Sequence, residues 1–226
     1  KDYTKFLDRD GLRGARIGVA RQFLGNNADV KKIMESHFEV LKESGATLID
    51  VNFAGDFSKL GNERLQILLY EFKTDLNKYL AQRGSRYKTL ADLIKFNEEN
   101  KDRQMPIFGQ ELFEQAQSKG DLTQKEYLDA LQKVKRAARE EGIDAVIAKD
   151  KLDAIVAPTV GSTWSMAATA GYPYISVPAG FGTDGLPLGV AFFGSAFSEP
   201  QLIKYAYAFE QKAKSRREPK FLPTAA

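Results

Sequence analysis

Two short apolar runs and the helix between them constrain this chain more than any other feature. Residues 15–20, ARIGVA, form one run behind a glycine, and residues 46–53, ATLIDVNF, form the other. Both read as strands. Between them, NNADVKKIMESHFEVLKESG places Val30, Ile33, Met34, His37, Phe38 and Leu41 at helical spacing on one face. Asn27 is positioned to cap that helix and Gly45 to stop it. Strand, helix and strand at this length form a βαβ unit, which implies parallel pairing.

Residues 60–142 are different in kind. Leu65, Leu68, Leu69, Phe72, Leu76 and Tyr79 mark one long amphipathic helix, and LADLIKFNEEN a short second one. Thr123 with Glu126 three residues later predicts a capping box for a third helix. That helix carries Tyr127, Leu131, Val134 and Ala138 inward and ends at Gly142. The pattern then returns to strands: LDAIVAPT at 152–159, YISVPAGF at 174–181 and PLGVAFFG at 187–194. Asp184-Gly185 predicts a hairpin turn between the last two. A final helix opens at Ser198-Glu-Pro-Gln201, a second predicted capping box. Three segments follow: 1–59 as the βαβ unit, 60–142 as a helical block, and 143–226 as sheet strands and a C-terminal helix.

At 226 residues the chain is long enough for a sizeable core, folding burying about 70% of the unfolded surface. The formal net charge is only +3, whereas nucleic-acid binders cluster Lys and Arg among stacking aromatics. The one candidate cluster, Lys212, Lys214, Arg216, Arg217 and Lys220, closes a predicted helix, where cations complement the dipole. No nucleic-acid partner is expected. The absence of cysteine removes disulfides, thiolate chemistry and cysteine metal sites and leaves the compartment undecided. No run is long and apolar enough to span a membrane. The chain starts on Lys1 with neither Met nor signal peptide, and is expected to be cut from something longer.

A catalytic constellation is hard to find. The sole histidine, His37, sits on an apolar helix face and reads as a core residue. With no second His and no Cys to complete a site, no metal or other cofactor is expected. The nucleophile elbow, the phosphate loop and the dinucleotide fingerprint are all missing. Glu98-Glu99 and Glu140-Glu141 lie in charged helix ends and read as solvated faces. GSTWS, residues 161–165, offers Ser162, Thr163 and Ser165 in a predicted loop, but a hydroxyl needs a base. The nearest lysines, Lys149 and Lys151, flank the far end of the preceding strand. ATAGYPYISVPAG, residues 168–180, resembles a pocket rim with nothing in it that attacks or ligates. Its structural reading is a tight turn into a buried strand, with small residues that allow close backbone approach.

LDAIVAPT, AGYPYISVPAGFGTDGLPLGVAFFG and SEPQLIKYAYAFEQ together resemble the C-terminal part of amidase signature enzymes, best the bacterial branch related to peptide amidases. LLYEFKTDLNKYLAQRG, LADLIKFNEENKDRQMPIFGQELFEQA and the closing RREPKFLPT are similar to that branch as well. DYTKFLDRDGLRGARIGVAR is similar to the stretch just downstream of the family's signature, so the resemblance covers essentially the whole chain. It implies an α/β fold: a mixed β-sheet flanked by helices, with a helical block inserted. It also implies hydrolysis of a carboxamide to carboxylate plus ammonia or amine through a Ser–cis-Ser–Lys triad. No Gly-Gly-Ser-Ser run occurs here, so no triad residue can be carried onto this chain.

From the family pattern, the loop Trp164 to Thr169 faces the acyl side of a small-molecule amide. Trp164, Ser165, Met166 and Thr169 are therefore candidate substrate-binding residues, with Phe108 and Phe72 of the helical block as further candidates. Relatives carry a longer Gly/Ser-rich loop between the tryptophan and the AGYP turn; either the loop is short here or a stretch is missing. The resemblance implies that a missing N-terminal half, or another chain, covers an open sheet edge. The alternative is a non-catalytic small-molecule-binding or assembly module. A glutamine-dependent amidotransferase component shares the family, but the helical block argues against it.

Overall fold

The computed structural model describes residues 2–55, 57–219 and 221; Lys220 of the basic cluster and the closing Leu222-Pro-Thr224 lie outside them. The elements in chain order are β1 (Arg16–Val19), α1 (Ala28–Glu43), β2 (Thr47–Asp50), α2 (Gly61–Gln82), α3 (Leu90–Glu99), α4 (Lys101–Gln104), α5 (Glu111–Gln117) and α6 (Lys125–Ala138). A π-helical turn, Arg139–Ile143, then leads to α7 (Asp144–Asp150), β3 (Ala154–Pro158), α8 (Ser162–Ala170), β4 (Tyr174–Phe181), β5 (Pro187–Phe193) and α9 (Glu199–Ala213). The chain divides into two compact units, Lys1–Phe57 with Lys135–Ala226, and Ser58–Val134.

The first unit holds a mixed five-stranded sheet in the order β2-β1-β3-β5-β4. β1 pairs in parallel with both β2 and β3, while β5 runs antiparallel to β3 and β4. The βαβ start is therefore present. Asn27 caps α1 by accepting the N–H groups of Asp29 and Val30. One sheet face, with Ile17, Val19, Ala154, Val156, Val190 and Phe192, packs against Met34, Phe38 and Leu41 of α1 and Leu202, Tyr205 and Phe209 of α9. His37 is buried in that layer; its Nε2–H donates to the Ala179 carbonyl at 2.6 Å and its ring meets Phe209 edge-on. The hairpin between β4 and β5 turns through Gly182–Leu186, closed by Gly182 N–H donating to Leu186 O at 2.8 Å.

The second unit is helical. Ile67 and Tyr70 of α2 pack on Tyr127, Ala130 and Val134 of α6, and Leu69 packs on Leu90 and Ala116. The stripe read on α2 is only partly covered: Leu69 is buried and Leu76 packs beside it, while Leu65, Leu68, Phe72 and Tyr79 are exposed. At 100° per residue the exposed four share one side of the helix, and α3 and α5 reach its edge at Leu69 and Leu76.

Both predicted capping boxes fail. The hydroxyl of Thr123 donates to Asp121, and Glu126 accepts from Tyr70 instead. Ser198 precedes α9 without a side-chain cap bond, its hydroxyl donating to the Ser195 carbonyl. A capping box forms where none was expected, between Thr89 and Asp92 at the start of α3. The third predicted helix also stops earlier than Gly142; the π-helical turn follows Ala138, and Gly142 kinks it at φ −104°, ψ −108°. Lys149 consequently lies on α7, an unexpected helix. Lys212, read as answering the α9 dipole, lies in its last turn and pairs with Glu43 at 4.0 Å.

Asp29 ties the hairpin to α1, accepting both the N–H and the hydroxyl of Thr183 at 2.7 Å. The backbone bond from Thr183, then its hydroxyl, hold the Asp29 carboxyl below its ordinary value. Such a group contributes stability above its unfolded pKa and loses it as pH falls through the lower folded value. Asp29→Asn is expected to lower the urea midpoint at neutral pH, with the gap closing as the pH drops below the carboxylate range. A gap of equal size at both pH values would contradict this role.

Candidate functional site

The C-terminal end of β3 is where the sheet opens to solvent. All five β3 residues are buried, yet the two positions after it change abruptly: Thr159 is half-buried and Val160 is 79% exposed. In β4 the pattern is period two: Val177 and Ala179 are buried, whereas Ser176 and Pro178 face outward and are exposed. Ligands of open α/β sheets bind outside the carboxyl ends of strands at a point where the strand order reverses. β2 and β3 lie parallel to β1 on its two opposite sides, so the carboxyl ends of β1 and β3 flank such a point.

The groups gathered there are hydroxyls and backbone. The Thr159 and Ser176 hydroxyls lie 2.6 Å apart. Tyr174 OH donates to the Thr159 carbonyl at 3.1 Å and lies 3.3 Å from the Thr163 hydroxyl. Burial raises the Tyr174 phenol above its ordinary value, and the Thr163 contact works against that shift. The partners of Thr159, Ser176, Thr163 and Tyr174 are thus one another and main-chain oxygens. Among the described residues no general base activates these hydroxyls, so by themselves they can bind and orient an amide but not attack it. Among the described residues there is no cluster of three or more His, Cys, Asp or Glu able to hold a metal. No helix of the described residues is long and apolar enough to cross a membrane.

The segment expected as a loop is helix α8. Met166, Ala167 and Ala170, with Thr163, fall at the spacing of one buried helix face, and the Ala/Met content favours helix. Gly161 at φ +140° turns the chain from β3 into α8. AGYP is its stop signal: Ala170 ends the helix, Gly171 takes the left-handed conformation at φ +69°, and Pro173 cannot continue it. Tyr172 donates its N–H to Ala167 O at 3.0 Å, completing the C-terminal motif.

The candidate substrate residues separate accordingly. Trp164 is 54% exposed and Met166 is buried on the opposite side of α8. Ser165 and Thr169 are half-buried. Phe72 and Phe108 belong to the helical unit: Phe72 is exposed on α2 with its ring 5.4 Å from Phe113, and Phe108 is 82% exposed ahead of α5. Thr159, Tyr174 and Ser176 were missed from sequence. The alternation of Tyr174, Ser176 and Pro178 with Ile175, Val177 and Ala179 carried the signal for the outward face.

The two roles on α8 are separable by stability. Trp164→Ala is expected to cost about 1 kcal/mol or less, as at a surface position, while Met166→Ala costs about 2–5 kcal/mol through the cavity left behind. Urea denaturation of both variants checks this; equal losses would mean that Trp164 is a packing residue.

Comparison with known proteins places this arrangement. The chain is 39% identical over 231 residues to a probable amidase of Arabidopsis thaliana, covering 97% of this chain and 42% of that protein. The structure of native peptide amidase from Stenotrophomonas maltophilia superposes with a TM-score of 0.93 at 39% identity, over 98% of this chain and 47% of that one. The crystal structure of an amidase family protein from Bacillus anthracis superposes with a TM-score of 0.85 at 32% identity, over 98% of this chain and 43% of that one. The chain thus spans less than half the length of each. The family model described as Amidase matches residues 2–169, well over half of the sequence, and the chain belongs to the amidase family.

Proposed function

We propose that this chain is the C-terminal portion of a single amidase domain, with residues 1–59 as its βαβ unit, 60–142 as its helical block and 143–226 as strands and last helix. The longer protein cleaves a carboxamide to carboxylate plus ammonia or amine by serine acyl transfer. This portion supplies sheet and part of the substrate pocket, and the Ser–Ser–Lys triad comes from the part that precedes it. The observation that carries the reading is the superposition along 98% of this chain on less than half of a peptide amidase. Among the described residues β4 pairs with β5 alone, and its open edge supports a missing neighbour there. The pocket wall in this reading is α8, with Trp164 and the half-buried Ser165 and Thr169 toward the acyl group.

Residues 1–226 alone are expected to show no amide hydrolysis. Loss of one oxyanion donor already costs about 10²–10³ in rate, and loss of the nucleophile removes the covalent route. In the longer protein, Trp164→Ala is expected to change the ratio of kcat/KM for bulky over short acyl amides by about tenfold or more. The smallest amides are expected to be turned over nearly as before, because remote contacts discriminate between substrates. Turnover by residues 1–226 alone, lost on mutating Ser162 or Ser165, would sink the reading. A longer protein that binds small amides without cleaving them would favour a non-catalytic binding module instead.

A further inference from the structure

The π-helical turn Arg139–Ile143 packs against α8. Beside Met166 the packing is loose enough that a Cβ added to Gly142 would meet the Met166 sulfur at an ordinary contact distance of 3.6 Å. The directed contact is at the end of the helix, where Arg139 Nε donates to the Ala170 carbonyl at 2.6 Å. Ala170 is the last residue of α8, and the C-terminal motif bonds the carbonyls of Ala167 and Ala168, not that of Ala170. The guanidinium therefore takes an acceptor that a helix end leaves without an internal partner, and its charge suits the negative end of the dipole.

The arginine is itself held. Its guanidinium lies 5.5 Å from the centre of the Tyr172 ring, and Tyr172 OH donates to Asp144 Oδ2 at 2.7 Å. Burial, then the bond to Asp144, push the Tyr172 phenol up to about 12, so it remains a donor across the neutral range. Asp144 is the first residue of α7, directly behind the turn that carries Arg139. Turn, arginine, tyrosine and aspartate form a closed loop of contacts around the C-terminal end of α8.

The bond at Ala170, on the buried face that also carries Met166 and Ala167, ties α8 to the turn and limits its rotation about its axis. Trp164 lies about 160° around the helix from Met166 at 100° per residue. We infer that Arg139 is a positioning residue: held by Tyr172 and Asp144, it sets the rotation of α8 and with it the direction in which Trp164 is presented. The geometry gives the π-helical turn a task, since such turns are uncommon and concentrate at functional places. The consequence for substrate choice, that Arg139 helps fix acyl-group preference, rests on α8 being a pocket wall.

Trp164 is the sole tryptophan of the chain and reports directly on this. In residues 1–226, acrylamide quenching and emission wavelength of Trp164 are measured for Arg139→Met, Arg139→Lys and Tyr172→Phe, with circular dichroism to establish folding. Arg139→Met is expected to change the quenching constant by about twofold or more. Arg139→Lys, which keeps a charged donor for Ala170 O, restores most of the native value, and Tyr172→Phe falls between. If Arg139→Met does not fold, the lysine and phenylalanine variants decide. Native quenching in folded Arg139→Met, or in Tyr172→Phe when the methionine variant is unfolded, overturns the inference. The selectivity ratio of the longer protein separates the two claims. A ratio changed by Trp164→Ala but not by Arg139→Met overturns the link from Arg139 to acyl preference and leaves the pocket reading standing. A ratio unchanged by Trp164→Ala overturns the pocket reading, and the link to acyl preference with it.

Discussion

A strand whose five residues are all buried, Ala154 to Pro158, must be paired along both edges and covered on both faces. The sheet-bearing unit meets that demand in a particular way. β1 supplies a parallel edge and β5 an antiparallel one, so the sheet changes character across β3. Ala154 and Val156 are covered by α1 and α9. On the opposite face, Gly18 comes so close to Leu152, Val51 and Ile155 that a Cβ there would lie 2.6 Å from the Leu152 side chain. The helices, the hairpin and the turn into α8 follow from keeping this one strand dry.

The demand stops at Pro158, and the candidate site begins there. Just past that residue Val160 and Gly161 are exposed, hydroxyls replace aliphatic side chains, and β4 presents an unpaired side. An exposed strand edge is a surface that sheets ordinarily cover or blunt. The proposed function reads the hydroxyl-lined end and the open strand as features of one portion of a longer amidase, and the family match with less than half of each relative covered is in keeping with it.

The strands and α1 were legible because their signals are local. ARIGVA, ATLIDVNF and the i, i+3, i+4 pattern between them state their own periods, and Asp184-Gly185 states the hairpin. What the sequence hid depends on partners far along the chain. Leu65, Leu68, Phe72 and Tyr79 belong to a true helical stripe with Leu69 and Leu76, but α3 and α5 cover only part of it, which no local pattern reports. Helix α8 was hidden by its brevity and its Gly-Ser-Thr opening, although Met166, Ala167 and Ala170 carried its period. The capping boxes failed because α6 begins at Lys125, two residues past Thr123, and because Ser198, at φ −86° and ψ 11°, lacks the extended backbone of an N-cap residue. Arg139 has no signature at all, since its acceptor lies 31 residues away.

The central claim is that the open side of β4 receives the part of the amidase that carries the triad. Amide hydrogen exchange across residues 174–181 tests it most directly, comparing residues 1–226 alone with the same residues in the longer protein. The account predicts that β4 amides directed away from β5 exchange rapidly in the isolated chain and are slowed by orders of magnitude in the longer protein. The amides bonded to β5 should be protected in both. Equal, rapid exchange of the outward amides in the two samples would contradict it, because the edge would then be free in the longer protein.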